Sequence, residues 1–242
     1  MSRIIFPVWG DLKQIYRDPM LIICLAGPLA LVLALRFGVP AVSDLLLHNL
    51  GFELSPYYEL IMSFALLLVP LILGCMAGFM ILDERDENMI QYFAVTPLTK
   101  NGYLAYRLGF VVILTVIDSL LLFAFSGLTP LRLGNTLLLM PMLALEAPVF
   151  ALFLTAFASN KIEGLALSKG ASILVLTPLI VFFVHSPWQY LGGIIPCFWP
   201  VRTFLSGSSF SLAWCTLPAA AGTAVHVVFL RYLVQRFLRR AD

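Results

Sequence analysis

The chain has 242 residues, of which 61% are hydrophobic and 12% charged, and its mean hydropathy is +0.97. Soluble globular domains carry about 25% charged residues, so this composition excludes an ordinary soluble enzyme or a nucleic-acid-binding module and describes an all-α integral membrane protein. The net charge of +2 says nothing by itself, because in a membrane protein the distribution of Lys and Arg among the loops sets the topology.

Residues 1–19 interleave Ile4, Ile5, Val8, Trp9, Leu12, Ile15 and Tyr16 with Arg3, Lys13 and Arg17. This spacing predicts a helix lying in the membrane interface. No short basic leader precedes an apolar run here, so the first span is expected to be kept as an anchor, not cleaved as a signal peptide. Asp18-Pro19 opens that span, about residues 20–37, and a loop or short re-entrant element with Asp44, His48 and Glu53 is expected at 38–56. The second span, about 57–82, carries Pro70, a predicted kink, and a small-xxx-small pair, Gly74 and Gly78, that lets another helix approach closely.

A densely polar insert follows at 83–107. Asp83, Glu84, Arg85, Asp86 and Glu87 are consecutive ionisable residues, and an apolar face then appears at Met89, Ile90 and Phe93. That spacing predicts a short amphipathic helix lying flat. Pro97 ends it and Thr99 is a candidate N-cap for the next helix. Four more spans are expected at about 103–125, 136–158, 171–185 and 212–233, all within a single transmembrane domain covering residues 1–242. A polar connector is expected at 159–170. Before the last span, the segment 187–210 is too apolar for a plain loop. Gly192-Gly193, Pro196 and Pro200 break it into short helices, with Trp188, Tyr190, Phe198 and Trp199 as interfacial anchors.

With the N-terminus inside, twelve of the fifteen Lys and Arg residues fall on the cytoplasmic side, leaving Arg36, Arg132 and Arg202 outside. This bias predicts six spans, with both termini and the insert in the cytoplasm. Three ionisable residues, Asp118, Glu146 and His226, stand inside apolar runs, where they are candidates for a polar pathway or for mutual pairing. Cys24, Cys75, Cys197 and Cys215 form neither a CxxC nor a Cys/His cluster and are expected to be buried hydrophobes. No HExxH or other metal pattern, no serine-protease order of motifs and no G-x-x-x-x-G-K-[ST] loop occurs. Movement of a substrate, powered elsewhere, therefore fits better than chemistry on one.

The insert resembles the signature of ABC type-2 permeases, E-R-E-x-G-T, an apolar helical stretch, then T-P-L/V-S. Glu84-Arg85-Asp86 corresponds to its start, Met89 to Val95 to the helix and Thr96-Pro97-Leu98-Thr99 to its close. Asn88-Met89 replaces Gly-Thr, and Gln91 stands where an acid is common. The layout of the whole chain agrees with the family, the motif only over this loop. The resemblance implies a coupling helix, drawing on Glu84, Arg85, Asp86, Glu87, Met89, Ile90, Tyr92, Phe93, Pro97 and Thr99, that rests on a separate ABC ATPase subunit. It further implies that ATP and Mg are bound by that subunit, none by this chain, and that a second permease copy or a related permease completes a dimer. Gly74 and Gly78, or the first and fifth spans, are candidates for the dimer face. Two alternatives are a non-transporting assembly or immunity factor and a proton-coupled secondary transporter using Glu146 and Asp118. Substrate identity does not follow from the sequence.

Overall fold

The computed structural model describes residues 16, 18–87, 89, 99–130, 132–209 and 212–240, the side chains of 208, 209, 212–214 and 240 aside. The expected interfacial helix at the N-terminus and most of the expected amphipathic helix after Glu87 lie outside the described residues. All regular structure among the described residues is helical. Six helices there are long and apolar enough to cross a bilayer: Pro19–Leu50, Ser55–Asp86, Thr99–Phe125, Leu133–Phe157, Lys161–Phe183 and Cys215–Arg239.

Asp18 caps the first helix by accepting a hydrogen bond from the Met20 amide at 2.9 Å, with Pro19 at the first helical position. Helix α1 (Pro19–Leu33) does not stop near Phe37. It passes through a π-helical turn, Ala34–Gly38, into α2 (Val39–Leu50), so the loop expected from residue 38 is helical as far as Leu50. Pro40 does not end the helix, because the wider turn just before it relieves the clash a proline ring makes with the preceding turn. The stop comes at Gly51, whose left-handed φ of 63° closes the helix while its amide returns to the Leu47 carbonyl at 3.1 Å.

A 3₁₀ turn, Ser55–Tyr57, leads into α3 (Tyr58–Asp86), which runs unbroken through Pro70. Helix α4 (Thr99–Phe125) and α5 (Leu133–Phe157) follow. The connector expected at 159–170 is helical: α6 (Lys161–Ala171) continues through a 3₁₀ stretch, Ser172–Leu176, into α7 (Thr177–Phe183). Its start is fixed by a near capping box. Asn160 accepts from the Glu163 amide at 2.9 Å, and Glu163 reaches back to the Ser159 amide at 2.7 Å. The broken segment consists of a 3₁₀ helix, Pro187–Ile194, and α8 (Phe198–Ser209), and α9 (Leu212–Arg240) completes the bundle.

Helix α3 is the hub. In the span containing it 89% of the apolar stretch is buried, against 22% in the span formed by α1 and α2, whose side chains are mostly exposed. Lipid tails are as apolar as leucine, so close packing is what joins helices here. Gly74 and Gly78 provide it: a Cβ on Gly74 would stand 2.5 Å from the Ala147 carbonyl oxygen, and one on Gly78 would stand 3.2 Å from that of Ala151. The glycine face is thus filled by α5 of the same chain and is not open to a second copy. Helix α5 also packs on α9, and α8 packs across α5, α9 and α3.

Candidate functional site

Two clusters of charged residues are built into the bundle, one around the buried Glu84 and one around the buried Glu146. The first cluster lies where α3 ends. Glu84 is buried and pairs with Arg107, whose Nε donates to Glu84 Oε2 at 3.1 Å and whose Nη2 donates to Oε1; the Tyr103 hydroxyl donates to Oε2 as well. Tyr103 and Arg107 are one turn apart on α4, so α4 presents both to a single carboxylate. Arg85 points the other way. Its guanidinium donates to the Thr155 and Ala158 carbonyls at 2.8 and 3.0 Å and lies over the Phe237 ring at 5.4 Å. Those carbonyls are the open C-terminal groups of α5, where a cation is favoured by the helix dipole. Arg236 of α9 adds a second cation at that end, donating to the Ala156 carbonyl at 3.5 Å and stacking on Phe157 at 4.2 Å. Asp83 accepts from Lys161 at 2.8 Å, and the same ammonium donates to Asp18 at 2.7 Å.

The end of α3 is therefore tied to α4 by Glu84, to α5 and α9 by Arg85 and to α6 and the start of α1 by Asp83. Asp86, Glu87 and Met89, by contrast, are exposed, Met89 at 38%. Thr99 Oγ1 accepts from the Gly102 amide at 3.4 Å, the bond of an N-cap. Ile90, Tyr92, Phe93 and Pro97 lie outside the described residues.

The second cluster is at mid-depth. Glu146 stands about 20 Å along α5 from Leu133 and about 17 Å from Phe157 at ~1.5 Å per residue. Both Glu146 and His226 of α9 have no exposed surface. His226 Nδ1 donates to the Gly222 carbonyl at 2.7 Å, which turns Nε2 onto Glu146 Oε2. The Cys197 thiol, in the turn before α8, donates to Glu146 Oε1 at 2.8 Å. Because Nδ1 holds its own hydrogen against a carbonyl, one proton lies between Nε2 and Oε2. The pair is either imidazolium with carboxylate or neutral imidazole with carboxylic acid, and both forms are overall neutral. Asp118, the third intramembrane candidate, has no hydrogen bond or ion pair to Glu146 or His226 among the described residues. Cys197 had no signal in the sequence, since a cysteine in an apolar stretch looks like any small hydrophobe. Arg107 and Tyr103 had one, a basic and a phenolic group at helical spacing just beyond an acidic run. Among the described residues, no group of three or more His, Cys, Asp and Glu is placed to hold a metal ion.

A family model described as "Fluoroquinolones export permease protein Rv2686c-like" matches residues 11–234 of this chain. The chain belongs to the Rv2686c-like export permease family. Two curated proteins of Mycobacterium tuberculosis are similar to it, fluoroquinolones export permease protein MT2760 of strain CDC 1551 / Oshkosh and fluoroquinolones export permease protein Rv2686c of strain ATCC 25618 / H37Rv. Each is 29% identical over 233 residues, covering 95% of this chain and 91% of the relative. No solved structure matches the chain significantly. Membership in the Rv2686c-like family, together with six helices able to cross a bilayer, makes the chain a multi-pass membrane protein of an export permease type. The ABC type-2 resemblance of the insert is consistent with that family.

Proposed function

We propose that this chain is the membrane-spanning subunit of an ATP-driven exporter, powered by a separate ABC ATPase that docks on the cytoplasmic insert 83–107. In this reading both termini face the cytoplasm of a bacterial cell, two permeases form the pathway, and ATP and Mg are bound by the ATPase. The substrates in this reading are fluoroquinolones, the drugs named for its Mycobacterium relatives.

The observation that carries the reading is the wiring of the insert's rim. Three consecutive side chains, Asp83, Glu84 and Arg85, each grip a different part of the bundle, while Asp86, Glu87 and Met89 remain exposed. A force applied beyond Glu87 would reach α4, α5 and α6 together, which is what a rigid-body rocking of spans requires. The charged signature then has two tasks: its inward residues transmit, and its outward residues meet the partner.

The test separates those tasks. Phe93→Asp and Tyr92→Asp should abolish co-purification with the ATPase. Glu84→Gln should leave the complex intact and ATP hydrolysis running, while drug efflux falls about tenfold, within the span of a coupling free energy of ~1–3 kcal/mol. Efflux that is unchanged in Glu84→Gln, or that persists when ATP hydrolysis is abolished, sinks the proposal. The Glu146–His226 pair favours a second reading, transport driven by protons; flux that follows a pH gradient without the ATPase is its signature.

A further inference from the structure

The segment between α7 and α9 does not stay at the edge of the bundle. Near the end of α8, beside the start of α5, Arg132 donates to the Gly207 carbonyl and Asn135 Nδ2 donates to that of Phe204 at 3.4 Å. At the other end of α8 the Cys197 thiol reaches Glu146 at 2.8 Å. Asn135 and Glu146 are about 17 Å apart along α5, and Gly207 and Cys197 about 15 Å apart along the hairpin limb, at ~1.5 Å per residue. Helix α8 thus runs antiparallel along the first half of α5. The 3₁₀ helix Pro187–Ile194 is the other limb, its eight residues spanning about 16 Å at ~2.0 Å each. The two limbs pair in reverse order: Trp199 Nε1 donates to the Gly193 carbonyl at 2.8 Å, and Arg202 Nη2 donates to the Tyr190 hydroxyl at 3.3 Å. Residues 187–209 are therefore a re-entrant hairpin whose tip, at Cys197, lies at the depth of the Glu146–His226 pair.

The tip is seated, whereas the first limb is not. Cys197 and Phe198 are buried, while Trp188, Leu191 and Ile194 are exposed. Trp199 rests on Gly222 of α9, where an added Cβ would stand 2.4 Å from the Trp199 Cβ, and the Gly222 carbonyl is the one that orients His226. Glu146 divides its two oxygens, Oε2 to His226 of α9 and Oε1 to the Cys197 thiol. One carboxylate thus joins α5, α9 and the hairpin. A thiol is a weak donor, and a carboxyl acceptor away from water strengthens its bond, so the tie is firm enough to bias a closed state and weak enough to break. Lifting α8 would uncover Asn135, Glu146 and His226, polar groups that the closed bundle hides.

We infer that the hairpin 187–209 is a gate closing the end of the bundle opposite Asp83, and that the bond from Cys197 to Glu146 is its latch. The helices that hold the tip are those gripped at their far ends by Arg85 and Arg236. A slide of α5 on α9 there would part Glu146 from His226 and withdraw the acceptor from the thiol. What passes the gate rests on the export reading above; the latch itself does not.

The test times the reaction of a single buried thiol with a water-soluble maleimide, in the full chain in lipid nanodiscs. Cys24→Ala, Cys75→Ala and Cys215→Ala remove the other thiols, and Thr203→Cys puts the reporter at a fully buried position of α8. Position 197 is changed either by Cys197→Ser, whose hydroxyl keeps the donor, or by Cys197→Ala, which has none. Labelling should be about tenfold faster with Cys197→Ala than with Cys197→Ser, the worth of one hydrogen bond to a charged group expressed in the open population. A reporter at Thr155→Cys, equally buried near the other end of α5, should react at the same rate in both backgrounds. Equal rates at the α8 reporter, or a parallel rise at both reporters, which is general loosening, overturn the latch. Drug efflux that persists while the α8 reporter ignores position 197 removes the latch and leaves the export reading. Labelling that follows position 197 in a protein that moves no drug removes the export reading and leaves the latch.

Discussion

Glu146 and His226 are 80 residues apart in sequence, yet they meet in a buried side-chain pair at mid-depth. Removing one partner leaves the other without its shared proton. We expect His226→Leu and Glu146→Leu each to destabilise the protein by about 3–5 kcal/mol, and the double variant by clearly less than the sum. Reversible unfolding of the reconstituted protein in detergent checks this, and additive losses would sink the pairing. The sequence marked both residues because ionisable groups in apolar runs stand out. It marked Asp118 for the same reason, although the fold leaves that residue apart from the pair. What joins Glu146 to His226 is the packing of α5 on α9, and no local pattern encodes a contact between helices so far apart in the chain. At the edge of the membrane the reverse held. The acidic run at Asp83 was plain, but three of its charges turn inward, Asp83 to Lys161, Glu84 to Arg107 and Arg85 to the carbonyls that end α5, which only the neighbouring helix ends could reveal.

At the scale of elements, the contact of α3 with α5 is set by missing atoms. Gly74→Ala would drive a methyl to 2.5 Å from a backbone oxygen of α5, which no side-chain rotation can relieve. We expect a loss of about 1–3 kcal/mol, typical of overpacking, whereas Gly109→Ala, where an added Cβ meets nothing within 4 Å, should be neutral. Thermal unfolding of the two variants side by side decides it, and equal midpoints would remove the close approach. The glycine spacing was legible, but its partner was not, because small residues permit an approach without naming the helix that makes it. Apolar run length found the six spans. It misplaced two of their edges because hydropathy does not register caps: the helix past Gly38 continues under Asp44 and His48, and α6 starts at a capping arrangement of Ser159, Asn160 and Glu163 inside a polar stretch.

For the whole molecule, one ammonium holds three segments together, since Lys161 at the start of α6 bonds Asp83 at the end of α3 and Asp18 ahead of α1. Such partly exposed pairs are individually worth about 0.2–1 kcal/mol, and here they add a polar tie to the packing of α1 on α3. The hydrogen bond from Lys161 holds the Asp18 carboxyl below its usual range. A carboxyl whose folded-state pKa is depressed contributes stability above its unfolded value and loses it as pH falls through the folded one. Below about pH 4 the tie should therefore weaken. In Asp18→Asn the acid-induced loss of thermal stability should be smaller than in wild type, and identical acid profiles would exclude a role for the tie.

The helix formed by α1, the π turn and α2 spans 32 residues, about 48 Å at ~1.5 Å per residue. A hydrocarbon core is only about 30 Å thick, so roughly 18 Å of rod must stand beyond it or be taken up by tilt. Helix α2 has no buried residue, and Val42, Leu45, Leu47 and Leu50 are bare. Such a rod settles most cheaply by bending over into the headgroup layer, and the loosely wound turn at Ala34–Gly38 is where it can yield. A permease bent there would have a footprint wider on one leaflet than on the other, and membranes of different thickness would bend it by different amounts.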